Sequence, residues 1–251
     1  MYRSEREREI LKLLSSEGYL TVKQMSEQLY ISESSIRRDL ITLEKQGEII
    51  RSYGGAELVK NSSRIIPFST RAHHNVSAKQ AMARKAGRLI HDGDIVFLDQ
   101  SSSAFFVAYE LLKKSNITVV TNNIEIIAFL SQSDIEVVSA GGILSRSNRN
   151  CFLGYDAQRF FAEMHADILF FSSKALAKDG TIYDCNREEI CIRKVMMENA
   201  EKKVFLCDTE KFDKIAGYKQ CVLEDIDYLI TETEDIEVIN RIQNATQIIY
   251  S

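Results

Sequence analysis

Ser32-Glu33-Ser34-Ser35-Ile36-Arg37-Arg38-Asp39-Leu40 sets Ile36 and Leu40, continued by Leu43, against a polar side of Ser34 and Arg38 flanked by Ser35 and Arg37. Apolar residues spaced by three and four predict a short helix with one buried face. A few positions on, Arg51-Ser52-Tyr53-Gly54-Gly55 reads as a tight, basic hairpin. A helix that buries one side and offers hydroxyls and guanidiniums on the other suits the major groove of duplex DNA.

The surrounding residues extend that pattern. Ser4-x-x-Glu7 is a capping box opening a helix with Ile10, Leu11, Leu13 and Leu14, and Gly18 ends it. Thr21-x-x-Gln24 opens a second helix carrying Val22, Met25 and Leu29. Tyr30-Ile31 is a brief turn, and Ser32 caps a third helix that runs to about Gln46, with Gly47 as its stop. Glu48 to Val59 predicts two short strands around Gly54-Gly55. Helix, helix, turn, helix, hairpin is the order of a winged helix-turn-helix, assigned to residues 1–60.

Residues 61–77 hold Ser, Asn, His73-His74 and the chain's one proline, Pro67, and read as a linker. Adjacent histidines on extended chain point to opposite sides, and no Cys or acidic partner stands at ligand spacing, so no metal is expected. Residues 78–251 then alternate. A helix from Lys79 to Ile90 precedes the strand Ile95-Val96-Phe97-Leu98. Further strands are predicted at Ile117 to Val120, Ile135 to Val138, Ile168 to Phe171, Val204 to Leu206 and Tyr228 to Ile230, with helices between most of them. Short Val/Ile-rich runs separated by helices imply an α/β domain with a mostly parallel, doubly wound sheet.

Ligands of such sheets bind outside the carboxyl ends of the strands. There the chain places Asp99-Gln100-Ser101-Ser102-Ser103, Thr121-Asn122-Asn123, Ala140-Gly141-Gly142 and Cys207-Asp208-Thr209-Glu210-Lys211-Phe212. Three hydroxyls at a helix N-terminus make an anion cradle. The glycines allow close backbone approach or positive φ, and Lys211 adds a cation. Each group alone is also an ordinary turn, cap or surface residue; their convergence on one edge suggests a site for a phosphorylated polyol.

Net charge is −4, with 12 Lys/Arg against 10 Asp/Glu in residues 1–75 and 20 against 26 beyond, so a DNA role rests on local charge placement rather than bulk attraction. Cys151, Cys185, Cys191, Cys207 and Cys221 form no C-x-x-C pair and read as reduced thiols filling core. No apolar run is long enough to span a bilayer, and the charged N-terminus lacks a signal core, so a cytoplasmic protein without membrane association is expected.

With these motifs the chain resembles the DeoR family of bacterial transcriptional regulators over nearly its whole length. Ser32, Ser35, Ile36, Arg37, Arg38, Asp39 and Leu40 hold the places of that family's helix motif, with Ser for Thr at position 35. Arg51, Tyr53, Gly54 and Gly55 match its wing signature. The second half resembles the family's sensor domain, similar in fold to ribose-5-phosphate isomerase. Asp99 to Ser103 align with its Asp-x-Gly-Thr-Thr loop, Thr121-Asn122 with its Thr-Asn pair, Gly141-Gly142 with its Gly-Gly, and Asp208 to Phe212 with its Asp-x-x-Lys-Phe. Ser101 and Ser172 stand where the family commonly has Gly.

The resemblance implies a sequence-specific DNA-binding regulator, a repressor of a carbohydrate operon, with DNA affinity set by a phosphorylated sugar or related metabolite and no cofactor. The expected DNA-facing residues are Thr21, Lys23, Ser32, Ser34, Ser35, Arg37, Arg38, Arg51, Tyr53, Gly54 and Gly55. Asp39 is expected to orient an arginine. Effector contacts are expected from Asp99, Ser101, Ser102, Ser103, Thr121, Asn122, Gly141, Gly142, Asp208 and Lys211. Expected partners are a double-stranded DNA operator, the small-molecule effector and further copies of the chain in a homo-oligomer, dimer or tetramer. The protein is not expected to be an enzyme. The competing readings are a sugar-phosphate isomerase with a DNA-binding head and a regulator whose pocket answers to nothing.

Overall fold

The computed structural model describes residues 3–46, 48–52, 54–58, 66, 68–233, 235 and 247–249. Gly47, Tyr53, Pro67 and residues 59–65 lie outside the described residues. The chain divides into two units, Met1–Thr70 and Arg71–Ser251.

The first unit runs α1 (Arg3–Glu17), β1 (Tyr19–Thr21), α2 (Val22–Leu29), α3 (Glu33–Gln46), β2 (Ile49–Ser52) and β3 (Gly55–Leu58). Its strands form an antiparallel sheet in the order β1-β3-β2. The short β1 was not expected from the sequence, because three residues are too few to show a period. The α2 capping box is formed: Gln24 N–H donates to Thr21 Oγ1 at 3.2 Å and Thr21 N–H to Gln24 Oε1 at 2.9 Å. Ile10 and Leu14 of α1 meet Met25 of α2, Ile36, Leu40 and Leu43 of α3 and Ala56 of β3 in one core. Burying a large aliphatic side chain contributes roughly 1.5–3 kcal/mol. With three such residues on one side of α3, rotation of that helix is fixed and its Ser/Arg side must face outward.

A second device holds α3. Asp39 is 1% exposed and receives both Arg6 Nε, at 2.6 Å, and Arg6 Nη2, at 2.9 Å. The carboxylate does orient an arginine, and the arginine belongs to α1. Asp39→Asn is therefore expected to lower the first unit's unfolding midpoint more than Arg37→Gln, which loses only an exposed pair with Glu33. Parallel urea titrations followed by circular dichroism check the ranking; equal midpoints would contradict it.

The boundary between the two units falls within α4 (Phe68–His73), inside the stretch read as linker. The second unit continues with α5 (Val76–Ala86), β4 (Ile95–Leu98), α6 (Ser102–Leu111), β5 (Thr118–Thr121), α7 (Ile124–Leu130) and β6 (Glu136–Ser139). Then come β7 (Ile143–Leu144), β8 (Phe152–Leu153), α8 (Tyr155–Ala162), β9 (Ala166–Phe171), β10 (Ala175–Leu176) and β11 (Thr181–Asp184). The last elements are α9 (Arg187–Glu198), β12 (Ala200–Leu206), β13 (Tyr218–Val222), β14 (Tyr228–Ile230) and β15 (Gln247–Ile249).

Seven strands form one sheet in the order β15-β14-β12-β9-β4-β5-β6, with every ladder parallel. The alternation of side chains explains its two cores. Val96 and Leu98, Ile168 and Phe170, Val204 and Leu206 face a layer that includes Met82 and Ala86 of α5, Val107 and Leu111 of α6 and Ile126 of α7. Phe97, Leu169, Phe171 and Phe205 face the opposite layer, with Phe161 of α8 and Ile192 and Met196 of α9. The expected α/β architecture is present. The antiparallel sheet β10-β11-β13 and the hairpin β7-β8 were not read from the sequence.

Chain order turns around between β4 and β9: β5 and β6 are added on one side of β4, while β9, β12 and β14 extend the other. That is the switch point where such sheets open a crevice at their carboxyl edge. Asp99 follows β4 and Ser172 follows β9, directly at that place.

Candidate functional site

On the first unit, Ser32, Ser34, Arg37 and Arg38 are exposed and Ser35 is half-buried. Ser32 Oγ lies 3.1 Å from Ser34 Oγ and 3.0 Å from Ser35 Oγ, so the hydroxyls form a cluster at the start of α3. Arg37 Nη2 pairs with Glu33 at 2.7 Å, Arg51 Nε with Glu44 at 2.8 Å, and Lys23 with Glu27 at 3.9 Å. Exposed pairs of this kind contribute about 0–1 kcal/mol, so each cation can exchange its carboxylate for a phosphate at little cost. Arg38 makes no ion pair among the described residues. Thr21 is committed to capping α2.

The glycines of the hairpin are explained by backbone. Gly54 has φ +75°, and its carbonyl accepts from Val22 N–H at 2.8 Å. Gly55 lies against β1, where a Cβ would stand 2.4 Å from the Leu20 carbonyl oxygen. Tyr30 was read only as a turn residue. It sits at φ +56° between α2 and α3 and is 94% exposed, next to the serine cluster.

At the sheet edge of the second unit, Asp99, Gln100, Ser101, Ser102, Ser103, Thr121 and Asn122 are all buried. Asp99 Oδ1 accepts from Ser101 N–H at 3.0 Å and Oδ2 from Ser172 N–H at 3.3 Å, stitching the ends of β4 and β9. Ser101 caps α6 through Ala104 N–H at 3.1 Å, with φ −78° and ψ 153°. The hydroxyl therefore accepts from its own helix, and this backbone demands no glycine. Ser101→Gly is expected to change stability by only a few tenths of a kcal/mol and Ser101→Ala to cost about 1 kcal/mol. Denaturant midpoints of the two variants test this; a large loss for glycine would contradict it.

Thr121 Oγ1 donates to the Leu98 carbonyl at 2.7 Å and accepts from Asn123 N–H at 3.1 Å. Asn122 Nδ2 donates to the Phe152 carbonyl at 2.8 Å. Gly142 has φ +130°, and a Cβ there would lie 2.7 Å from the Leu153 carbonyl oxygen; Gly141 has open space around its Cα. Lys211 Nζ reaches Asp208 at 3.0 Å and donates to Ser172 Oγ at 2.8 Å, while that hydroxyl donates to the Leu206 carbonyl at 2.5 Å. Ser172, noted only as a departure from the family pattern, thus seats the loop's cation. Burial alone would raise the Asp208 carboxyl, but Lys211, Lys79 and Asn75 outweigh it and hold it below the usual range.

Three residues that the sequence reading did not place at the site complete the edge. Arg193 of α9 is 2% exposed and lies 3.0 Å from Asp99, 2.8 Å from Asp184 and 3.6 Å from Glu189. Its contact with Asp99 is electrostatic, because the Nε hydrogen does not align with an acceptor. Burial works against the guanidinium's charge, but Asp184, Asp99 and Glu189 overcome it and hold Arg193 protonated. Burial pushes the Asp99 carboxyl up against the pull of Arg193. Glu189 accepts from Gln100 Nε2 at 3.1 Å, Asn148 Nδ2 at 3.2 Å and Asn186 Nδ2 at 3.1 Å. Lys79 of α5 is buried and donates to the carbonyls of Arg71 and His74; burial and nearby Lys211 lower its ammonium to about 8. On a helix, each reads from sequence as a solvated charge. Only the fold brings them to this edge.

Burial raises the thiols of Cys185, to about 11, and Cys221, to about 12, so neither is a ready nucleophile. Among the described residues no group of His, Cys, Asp and Glu is arranged to hold a metal, and no helix is long and apolar enough to cross a membrane.

Comparison with known proteins adds the following. Residues 6–62 match the family model for the DeoR-like helix-turn-helix domain, and residues 74–233 that for the DeoR C terminal sensor domain. The HTH-type transcriptional regulator GolR of Listeria innocua is 32% identical over 235 residues, covering 93% of this chain and 92% of its own. The L-fucose operon activator of Haemophilus influenzae is 30% identical over 224 residues, 89% of each. The glycerol-3-phosphate regulon repressor of Escherichia coli is 28% identical over 233 residues, 92% of each. Among solved structures, ribose 5 phosphate isomerase A from Neisseria gonorrhoeae aligns with a TM-score of 0.40 at 16% identity, covering 53% of this chain and 52% of that one.

Proposed function

This chain belongs to the DeoR family of transcriptional regulators, and we propose that it represses a carbohydrate operon by binding its operator, releasing or retaining it according to a phosphorylated sugar or related metabolite held at the sheet edge. The observation that carries the DNA half is α3: Ile36, Leu40 and Leu43 are fully buried, so the hydroxyl cluster, Arg37 and Arg38 are turned outward together. In this reading Arg38 meets base edges, Arg37 and Arg51 trade their carboxylates for phosphates, and Ser32, Ser34 and Ser35 donate to the backbone. Lys23 and Gly54 are assigned to the phosphate backbone in the same reading, Thr21 and Gly55 act by shaping α2 and the hairpin, and Tyr53 lies outside the described residues.

A bidentate arginine contributes roughly 1–3 kcal/mol of discrimination between bases. Arg38→Ala is accordingly expected to reduce operator affinity about 5–150-fold while reducing affinity for random duplex far less. Fluorescence anisotropy on a selected genomic fragment and on scrambled DNA measures both. An equal loss on the two would assign Arg38 to phosphate instead.

The effector half is supported by buried hydroxyls and amides around Ser101 to Ser103 and Asn122, with Lys211 seated by Asp208 and Ser172. The names of two relatives, a glycerol-3-phosphate regulon repressor and an L-fucose operon activator, support carbohydrate control and leave activation as the second reading of sign. Catalysis is not proposed: Asp99 is tied to Arg193 and two backbone N–H groups, and Lys211 to Asp208 and Ser172, so neither is a free acid or base. Two heads reading spaced half-sites require a homo-oligomer, which sedimentation of the full chain tests.

A further inference from the structure

The edge near Arg193 holds a set of polar atoms that the chain itself does not use. Gln100 and Asn122 are fully buried and Asn148 is 2% exposed, yet Gln100 Oε1, Asn122 Oδ1 and Asn148 Oδ1 have no partner among the described residues. Their orientation is fixed, because each nitrogen donates to an obligate acceptor: Gln100 and Asn148 to Glu189, Asn122 to the Phe152 carbonyl. A flipped amide would set oxygen against oxygen. Two buried donors, Asn123 Nδ2 and Gln220 Nε2, are likewise unpartnered. Native proteins rarely leave buried polar groups unpaired, so each of these groups indicates a ligand or ordered water.

The mixture of idle acceptors and idle donors defines what fits. A hydroxyl does both at once, whereas a carboxylate only accepts. Charge points the same way. Within 4 Å of the one guanidinium of Arg193 stand three carboxylates, Asp99, Asp184 and Glu189, so the cluster already carries surplus negative charge. A further carboxylate would be repelled there.

We propose that Gln100, Asn122 and Asn148 form a hydroxyl-reading subsite of the effector site, selecting neutral polyols and rejecting sugar acids. The proposal rests on the sheet edge being the effector site, and goes beyond it by naming the residues and the excluded class. The subsite joins the switch-point residue Gln100, the β7–β8 loop residue Asn148 and the N-terminal turn of α9 through Glu189, so its occupation couples three elements.

The test is calorimetric titration of the full chain with matched probes: glycerol 3-phosphate against 3-phosphoglycerate, glucose 6-phosphate against 6-phosphogluconate, the unphosphorylated polyols, and inorganic phosphate alone. The polyol phosphate that binds best is expected to bind at least tenfold more tightly than its matched acid. Asn148→Leu is expected to lose at least tenfold for that polyol phosphate and nothing for inorganic phosphate; the matched-acid comparison uses the unaltered chain and so does not depend on the variant folding. Binding of free polyols without any response to phosphates would uphold the hydroxyl subsite and remove the phosphorylated class. Acids binding as well as their polyols, or phosphate binding indifferent to hydroxyls, would overturn the subsite and keep the phosphorylated class, and the idle amides would then be water sites. No heat with any probe at millimolar concentration would overturn both.

Discussion

Replacing Arg193 by Met is expected to cost the second unit about 3–5 kcal/mol, the usual consequence of removing one partner from a buried ion pair. Methionine nearly matches the volume, so the loss is electrostatic rather than a cavity. Without the guanidinium, Asp99, Asp184 and Glu189 face one another in a site where Asp99 is wholly buried and Arg193 was 2% exposed. Asp99, whose carboxyl burial already pushes up, would escape by taking up a proton once Arg193 no longer opposes it, so the deficit should shrink as pH falls. Adding Asp99→Asn to Arg193→Met should recover part of the loss, since it removes the most deeply buried of the three charges. Urea unfolding of the second unit measures all of this, and a deficit below about 1 kcal/mol would show that the cluster is solvated.

The second large effect belongs to the hairpin. Gly55→Ala places a methyl 2.4 Å from the Leu20 carbonyl oxygen and 2.5 Å from Tyr19 Oη. The tyrosine can swing aside, but the carbonyl is main chain of β1, whose residue Leu20 pairs with Ala56. Either β1 moves off β3 or the hairpin shifts. Overpacking typically costs about 1–3 kcal/mol, and displaced backbone lies at the upper end. Because Val22 N–H donates to the Gly54 carbonyl, the start of α2 moves with the hairpin. Gly55→Ala should therefore weaken DNA binding without touching a single DNA-facing side chain. Unfolding midpoints and anisotropy on the same preparation test the pair of effects; unchanged stability would contradict the close contact.

Six of the seven strands of the large sheet were legible because parallel strands buried on both faces show as unbroken Val, Ile and Phe runs. The seventh, Gln247–Ile249, and the short β1, β7, β8 and β10 carry two or three residues each, too few for alternation to show. The α3 face was legible for a different reason: a helix buried on one side fixes what the other side presents. The edge of the sheet was only half legible. Loops after strands could be found by position, so Asp99, Ser101, Asn122 and Lys211 were found. Arg193, Glu189 and Lys79 lie on helices and look like ordinary surface charges until the fold buries them. Asn148 lies in a loop between two two-residue strands, with no periodic flank to mark it. Ser172 illustrates the remaining gap, since only the geometry shows its hydroxyl bridging Lys211 and the Leu206 carbonyl.

The most direct test is to select genomic fragments with the purified full chain at modest salt and to measure affinity for the winner, for scrambled duplex, and for both in the presence of polyol phosphates. The account predicts a sequence preference that Arg38→Ala erodes and a ligand effect of about 5–150-fold, the range typical of coupling between two sites. Equal affinity for every duplex, with or without ligand, would contradict it.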